Sequence, residues 1–325
     1  MKVSASTAVG IGVTLVVAVA IALLPLHLSN YHRSTGATVA VYFIAILALN
    51  IVTGYTGQIS IGHGAFMAVG GYTTAILTHD HGWSDLATLP AAAALGFLAG
   101  VIVGVPALRF HGVYLALTTF AVALAVPQIA KNYPNFTGGT EGKALPTHTG
   151  RWLYDVSWAV AGVMFVTAWL LLRGRTGRAF RAVRDSEVAA ASSGVTLPVY
   201  KTVAFGISAG MAGVAGSLYV LVNNFVNPDV FGLQLSLYIL IGAVVGGLGS
   251  LWGVLVGAAF VQLLPILLTT NNIGSSQSVP VIFGAVVIAV MALIPLGAAN
   301  LLQTVLQFGV RRGQHPDTSL GTEGR

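Results

Sequence analysis

The residues best suited to chemistry at membrane depth lie in one run, Thr56-Gly57-Gln58-Ile59-Ser60-Ile61-Gly62-His63-Gly64-Ala65-Phe66. An amide, a hydroxyl and an imidazole close together supply donors and acceptors for a small polar solute. Polar side chains and glycine-rich backbone are tolerated in a bilayer only where they face protein or a water-filled cavity. A discontinuous helix there presents its end to a solute, and an N-terminus favours a carboxylate. Two readings stand side by side. Either Gln58, Ser60 and His63 line a transport path, or the run is a turn followed by an ordinary helix whose His63 is satisfied by a neighbour.

Other chemistry is excluded by what is missing. The nine carboxylates, Asp80, Asp85, Glu141, Asp155, Asp185, Glu187, Asp229, Asp317 and Glu323, all fall in loops or at the ends of apolar runs. A pump driven by a proton or sodium ion needs a buried carboxylate, so a self-powered transporter is disfavoured. Gly142-Lys143 is followed by Ala144, so no GxxxxGK[ST] phosphate loop is present. With no cysteine, disulfides, thiolate metal sites and Cys nucleophiles drop out. The chain reads as a transport subunit and not an enzyme, with no cofactor or metal of its own; if it moves solute uphill, another subunit supplies the energy.

A second run is basic: Arg173, Arg175, Arg178, Arg181 and Arg184 precede Glu187, Ala190, Gly194 and Lys201. Helical spacing puts Phe180 and Val183 on one face, extended by Val188 and Ala191, with Arg178, Arg181 and Arg184 opposite. One reading is a surface helix drawn to anionic lipid. Glu187 and the break at Gly194 are unneeded for that, and suit docking into a partner's groove instead.

These segments must be held by membrane helices. Of 325 residues, 55% are hydrophobic and only 7% charged, against about 25% charged in soluble domains. So little charge excludes a cytosolic enzyme and a disordered chain. The net charge of +6 concerns which loops face the inner side of a membrane, not nucleic acid. Runs of about 20 apolar residues, enough to span the hydrocarbon, occupy 8–28, 37–55, 59–78, 86–107, 112–130, 152–172, 202–222 and 279–297. The run 8–28 is too long for a signal-peptide core. The run 233–268 is too long for one span and is broken near Gly246-Gly247-Leu248-Gly249-Ser250. The expectation is all-α: a polytopic transmembrane helix bundle of about ten spans, with broken helices near 57–64 and 246–250. With the N-terminus inside, only Arg33, Lys131, Lys143 and Arg151 of the 15 cations fall outside, as the positive-inside rule requires. Both termini are then cytoplasmic. Residues 1–310 are expected to form one transmembrane domain with a cytoplasmic loop at 173–201, and 311–325 a disordered tail. Gly96, Gly100 and Gly104, and again Gly246, Gly249 and Gly253, recur at the three- or four-residue spacing that lets helices approach closely.

The run Gly57-Gln58-Ile59-Ser60-Ile61-Gly62-His63-Gly64-Ala65-Phe66 resembles the Gly-Gln-x-Ser-x-Gly-His-x-x-Phe segment of branched-chain amino acid ABC permeases of the LivM type. Residues 181–194, with Lys201 and the Ala204-Phe205 to Gly216 run, are similar to that family's coupling loop and next helix. Gly246-Gly-Leu-Gly-Ser-Leu-Trp-Gly253 and Phe136-Thr-Gly-Gly-Thr-x-Gly142 resemble two further signatures. Departures are Gly112-Val113-Tyr114 where the family has Gly-Asp-Tyr, and Ile294-Pro295 without the family's arginine.

The resemblance implies a permease paired with a second, LivH-like permease, two cytosolic ATPases and an extracytoplasmic solute-binding protein, in a bacterial or archaeal plasma membrane. By position it assigns Arg181, Arg184, Glu187, Ala190, Gly194 and Lys201 to the ATPase-contacting loop, and Gln58, Ser60 and His63 to the translocation path. Branched-chain amino acids are the expected solute, received at outer loops 131–151 and 222–233. Urea or short amides, and less so a secondary transporter or channel, are the rivals.

Overall fold

The structure is a computed structural model that describes residues 29–107, 112–270 and 278–293. The expected first span 8–28, Arg109, the departure at 294–298 and the tail from Arg311 lie outside the described residues.

Helix α1, Asn30–Leu49, starts where the Ser29 side chain accepts the His32 N–H, several residues before the apolar run. It loosens into a π-helical turn, Asn50–Tyr55, and the chain then runs without helix to α2, His63–His81. Next come α3, Asp85–Ala107, α4, Val113–Asn132, and a single turn, α5, Pro134–Thr137. Strand β1, Lys143–Ala144, precedes α6, Gly150–Arg173. Two short helices follow, α7, Arg175–Asp185, and α8, Glu187–Ser192. The long α9, Leu197–Asn223, has Pro198 in its first turn, where the missing N–H costs no bond. Strand β2, Phe225–Val226, and a 3-10 turn, Pro228–Phe231, lead to α10, Leu233–Gly246, α11, Gly253–Thr270, and α12, Val279–Leu293.

Among the described residues six helices are long and apolar enough to cross a membrane. Helix α2 is as long but diluted by Gly, Thr and His, and α10 and α12 are shorter apolar helices. The break in the long run is where glycine spacing places it, between Gly246 and Gly253.

The core is built on two helices. The most apolar stretch of α9 is 89% buried and that of α1 with its π turn 78%, whereas that of α6 is 22% buried. Apolar helices gain little from one another over lipid, so close packing decides their partners. Helix α9 lies along α3 and α2. On α3, Gly96, Gly100 and Gly104 all face Phe205–Gly213 of α9, near enough that a methyl on Gly96 would sit 2.7 Å from the Ala209 carbonyl. At the second break, a methyl on Gly246 would meet the Gly253 carbonyl.

The bundle has two distinct ends. One carries α7 and α8 together with both helix breaks; we call it the basic end. At the other, β1 and β2 pair antiparallel, Lys143 opposite Val226 and Ala144 opposite Phe225, so the two loops expected to receive solute meet in one small sheet.

Candidate functional site: two broken helices and a basic helix

Between the π turn and α2, burial alternates: Gln58, Ser60 and Gly62 face the bundle, while Gly57 and Ile59 are exposed. That period of two marks extended chain. Its polar groups are satisfied within the chain. The Gln58 N–H donates to the Val52 carbonyl at 3.1 Å, Thr53 Oγ1 donates to the Gln58 carbonyl at 3.0 Å, and Gln58 Nε2 donates to Thr56 Oγ1 at 2.9 Å. Thr119 of α4 accepts the Ile61 N–H at 2.9 Å.

His63 is 1% exposed. The Ser208 hydroxyl on α9 donates to the Ala48 carbonyl at 2.6 Å, so it accepts from His63 Nε2, 2.7 Å away. His63 Nδ1 is then the acceptor for the Ser60 hydroxyl at 3.2 Å. A neutral ring bonded in this way carries its proton on Nε2. The first turn of α2 is not an open anion site either, since Ser236 on α10 accepts the Gly64 N–H at 2.9 Å. Gln58, Ser60 and His63 thus turn into the protein, and the histidine bridges α1, α2 and α9.

Asn50 was not singled out from the sequence, although it is a lone amide at the end of an apolar run. It joins the two breaks. Its Oδ1 accepts the Gly249 N–H at 2.7 Å and its Nδ2 donates to the Ser250 carbonyl at 2.9 Å. The chains approach so closely because residue 54 has no side chain: a methyl there would strike Asn50 Oδ1 and the Gly249 nitrogen. Ser208, Ser236 and Thr119 were equally unmarked, being small hydroxyls that look like packing residues until their partners are seen.

Helix α7 buries Phe180 and Val183 and exposes Arg178, Arg181 and Arg184, as its spacing predicts. Arg181 Nη1 donates to the Leu172 carbonyl at 3.2 Å, closing the end of α6. Arg184 Nη1 donates to the Gly54 carbonyl at 2.7 Å. The expected continuation of the apolar face through Val188 and Ala191 is not found. Ser186 is extended, φ −163° and ψ 115°, and starts a new helix by accepting the Ala189 N–H. That reset of phase turns Ala190 inward and leaves Val188 78% exposed. Gly194, at φ +83°, ends α8 with the Val195 N–H on the Ala190 carbonyl and the Gly194 N–H on the Ala191 carbonyl, a left-handed cap that glycine adopts without strain. Glu187 bonds Lys201 of α9 at 2.6 Å, the lysine side chain being 8% exposed. Arg181, Arg184, Glu187 and Lys201 therefore all have partners inside this chain. Among the described residues no cluster of His, Cys, Asp or Glu is arranged to hold a metal.

Against known proteins, residues 33–295 match the family described as branched-chain amino acid transport system / permease component. The high-affinity branched-chain amino acid transport system permease protein LivM of Salmonella typhimurium is 34% identical over 250 residues, covering 67% of this chain and 59% of that protein. LivM of Escherichia coli matches equally. The permease protein LivH of Salmonella typhimurium is 23% identical over 282 residues, 79% of this chain and 91% of its own length. The chain spans about three fifths of the length of the LivM relatives. No solved structure matches.

Proposed function

This chain belongs to the branched-chain amino acid transport system permease family, and from that membership we propose that it is the membrane-spanning subunit of an ATP-driven importer for leucine, isoleucine and valine. The observation that carries the reading is the basic helix pair α7–α8, inserted between α6 and α9, reaching both helix breaks through Arg184. In this reading the basic end is cytoplasmic in a bacterial or archaeal plasma membrane, with both termini on that side. Two ATPase subunits bind ATP and Mg and press on the exposed surface around Val188 and Gly194. Arg181, Glu187, Ala190 and Lys201 hold the shape of that surface from within.

A second, LivH-like permease completes the path, and a solute-binding protein docks at the sheet end. The stretch Gln58–His63 borders the path: Ile59 faces it, and the side chains of Gln58, Ser60 and His63 fix its form from behind. Alternating access is then a rocking of the bundle about the two breaks, without covalent chemistry in this chain. Of the possible solutes, the relatives' names favour branched-chain amino acids over urea or short amides.

The test is affinity purification of the tagged chain in mild detergent, followed by reconstitution into liposomes. A second permease and two nucleotide-binding proteins are expected to co-purify, with leucine uptake that needs ATP and the binding protein. Solute flux through the purified chain alone would point to a channel or secondary transporter and overturn the reading.

A further inference from the structure

Arg184, the penultimate residue of α7, touches three elements at once. Its Nη1 donates to the Gly54 carbonyl in the π turn at 2.7 Å. Its Cγ lies 3.2 Å from where a Gly57 Cβ would be, and its Nη1 lies 3.0 Å from where a Gly249 Cβ would be. Glycine at positions 57 and 249 leaves the room this side chain fills. A backbone carbonyl is available to it because the chain leaves the helix after Tyr55; inside a regular helix the carbonyl is occupied by the N–H four residues on. Asp185, 3.7 Å from Arg184 Nε with both side chains exposed, is a weak competitor. Asn50 already joins Gly249 and Ser250 to the π turn, so a grip on Gly54 is a grip on both breaks.

We propose that Arg184 is a positioning residue that ties α7 to the two broken helices, so that a displacement of α7 moves the α1–α2 and α10–α11 breaks with it as one body. This deepens the importer reading and rests on it. Arginine suits the task because its guanidinium is charged at every working pH and offers several donors from a rigid plane, where lysine offers a compact, strongly hydrated point charge.

The test uses the whole complex in liposomes. Arg184→Ala is expected to assemble with its partners, and leucine taken up per ATP hydrolysed to fall about tenfold or more, the size of a typical coupling between sites. The chain has no cysteine, so a covalent tie can replace the lost one. An ideal Gly57 Cβ stands 3.8 Å from Arg184 Cβ, within the range a disulfide spans. The double variant Gly57→Cys/Arg184→Cys is expected to be uncoupled when reduced and to recover uptake about fivefold on oxidation. Arg184→Ala with wild-type uptake per ATP would overturn the proposal, as would an oxidised double variant that stays at the reduced level. Should Gly57→Cys alone fail to insert, Arg184→Ala decides the matter by itself. A wild-type complex without ATP-driven uptake would sink the importer reading; an active wild type with a fully coupled Arg184→Ala would sink only the tie.

Discussion

At the sheet end, Lys131 pairs with Asp229, Lys143 with Asp80, and His148 with Asp85. At the basic end, Arg181 and Arg184 donate to main-chain carbonyls instead. Such pairs between partly exposed groups are worth at most about 1 kcal/mol each, and the small sheet between β1 and β2 joins the same two loops as Lys131 and Asp229 without their help. A guanidinium on a carbonyl requires backbone that is leaving its helix, so it marks where a helix ends, at Leu172, or is interrupted, at Gly54. One end is fastened by replaceable pairs; the other depends on a few main-chain contacts around three glycines and on the Glu187 pair with the buried Lys201.

The largest break in that contrast is expected from Asn50→Ala. It leaves the partly buried Gly249 N–H and Ser250 carbonyl without their amide, a cost of about 2–3 kcal/mol, read as a lowered thermal midpoint in detergent together with lost uptake. Next comes Glu187→Lys, which sets a second cation against the buried Lys201 and frees α8 from α9. Because Glu187 is partly exposed, the stability cost is about 1–2 kcal/mol. Membrane insertion should persist while ATP hydrolysis separates from uptake; normal coupling would show that α8 needs no such anchor.

The smallest effect is expected at the sheet end. Hydrogen bonds from Lys143 and His79 hold the Asp80 carboxyl below its ordinary value. A depressed carboxylate stabilises the fold above its unfolded pKa, and that gain disappears as pH falls through the folded value. Asp80→Asn should therefore cost no more than about 1 kcal/mol near neutral pH. The gap to wild type in thermal midpoint should close in acid. A gap that persists there would mean that the residue acts through something other than its charge.

Much of this arrangement was legible beforehand because it rests on patterns of a few residues. Twenty-residue apolar runs specify spans, Gly246-Gly247-Leu248-Gly249 stops a helix, and Phe180 with Val183 three residues on sets a buried face. The apolar pattern misleads where two short helices share it: the extended Ser186 resets the phase, announced in the sequence only by a serine of N-cap type before Glu187. Asn50 was silent, since an amide in an apolar run acquires meaning only from a partner 199 residues away.

The sequence by itself determined an all-helical membrane protein, the places of its two interruptions and the basic character of one loop, because hydrocarbon thickness and helix periodicity act on neighbouring residues. Only the tertiary structure decided that His63 faces Ser60 and Ser208 rather than an open path, that Glu187 faces Lys201, and that Arg184 reaches Gly54. Those outcomes depend on which helices lie side by side. That choice is made by close contact between small residues far apart in the chain, for which no local spacing rule exists.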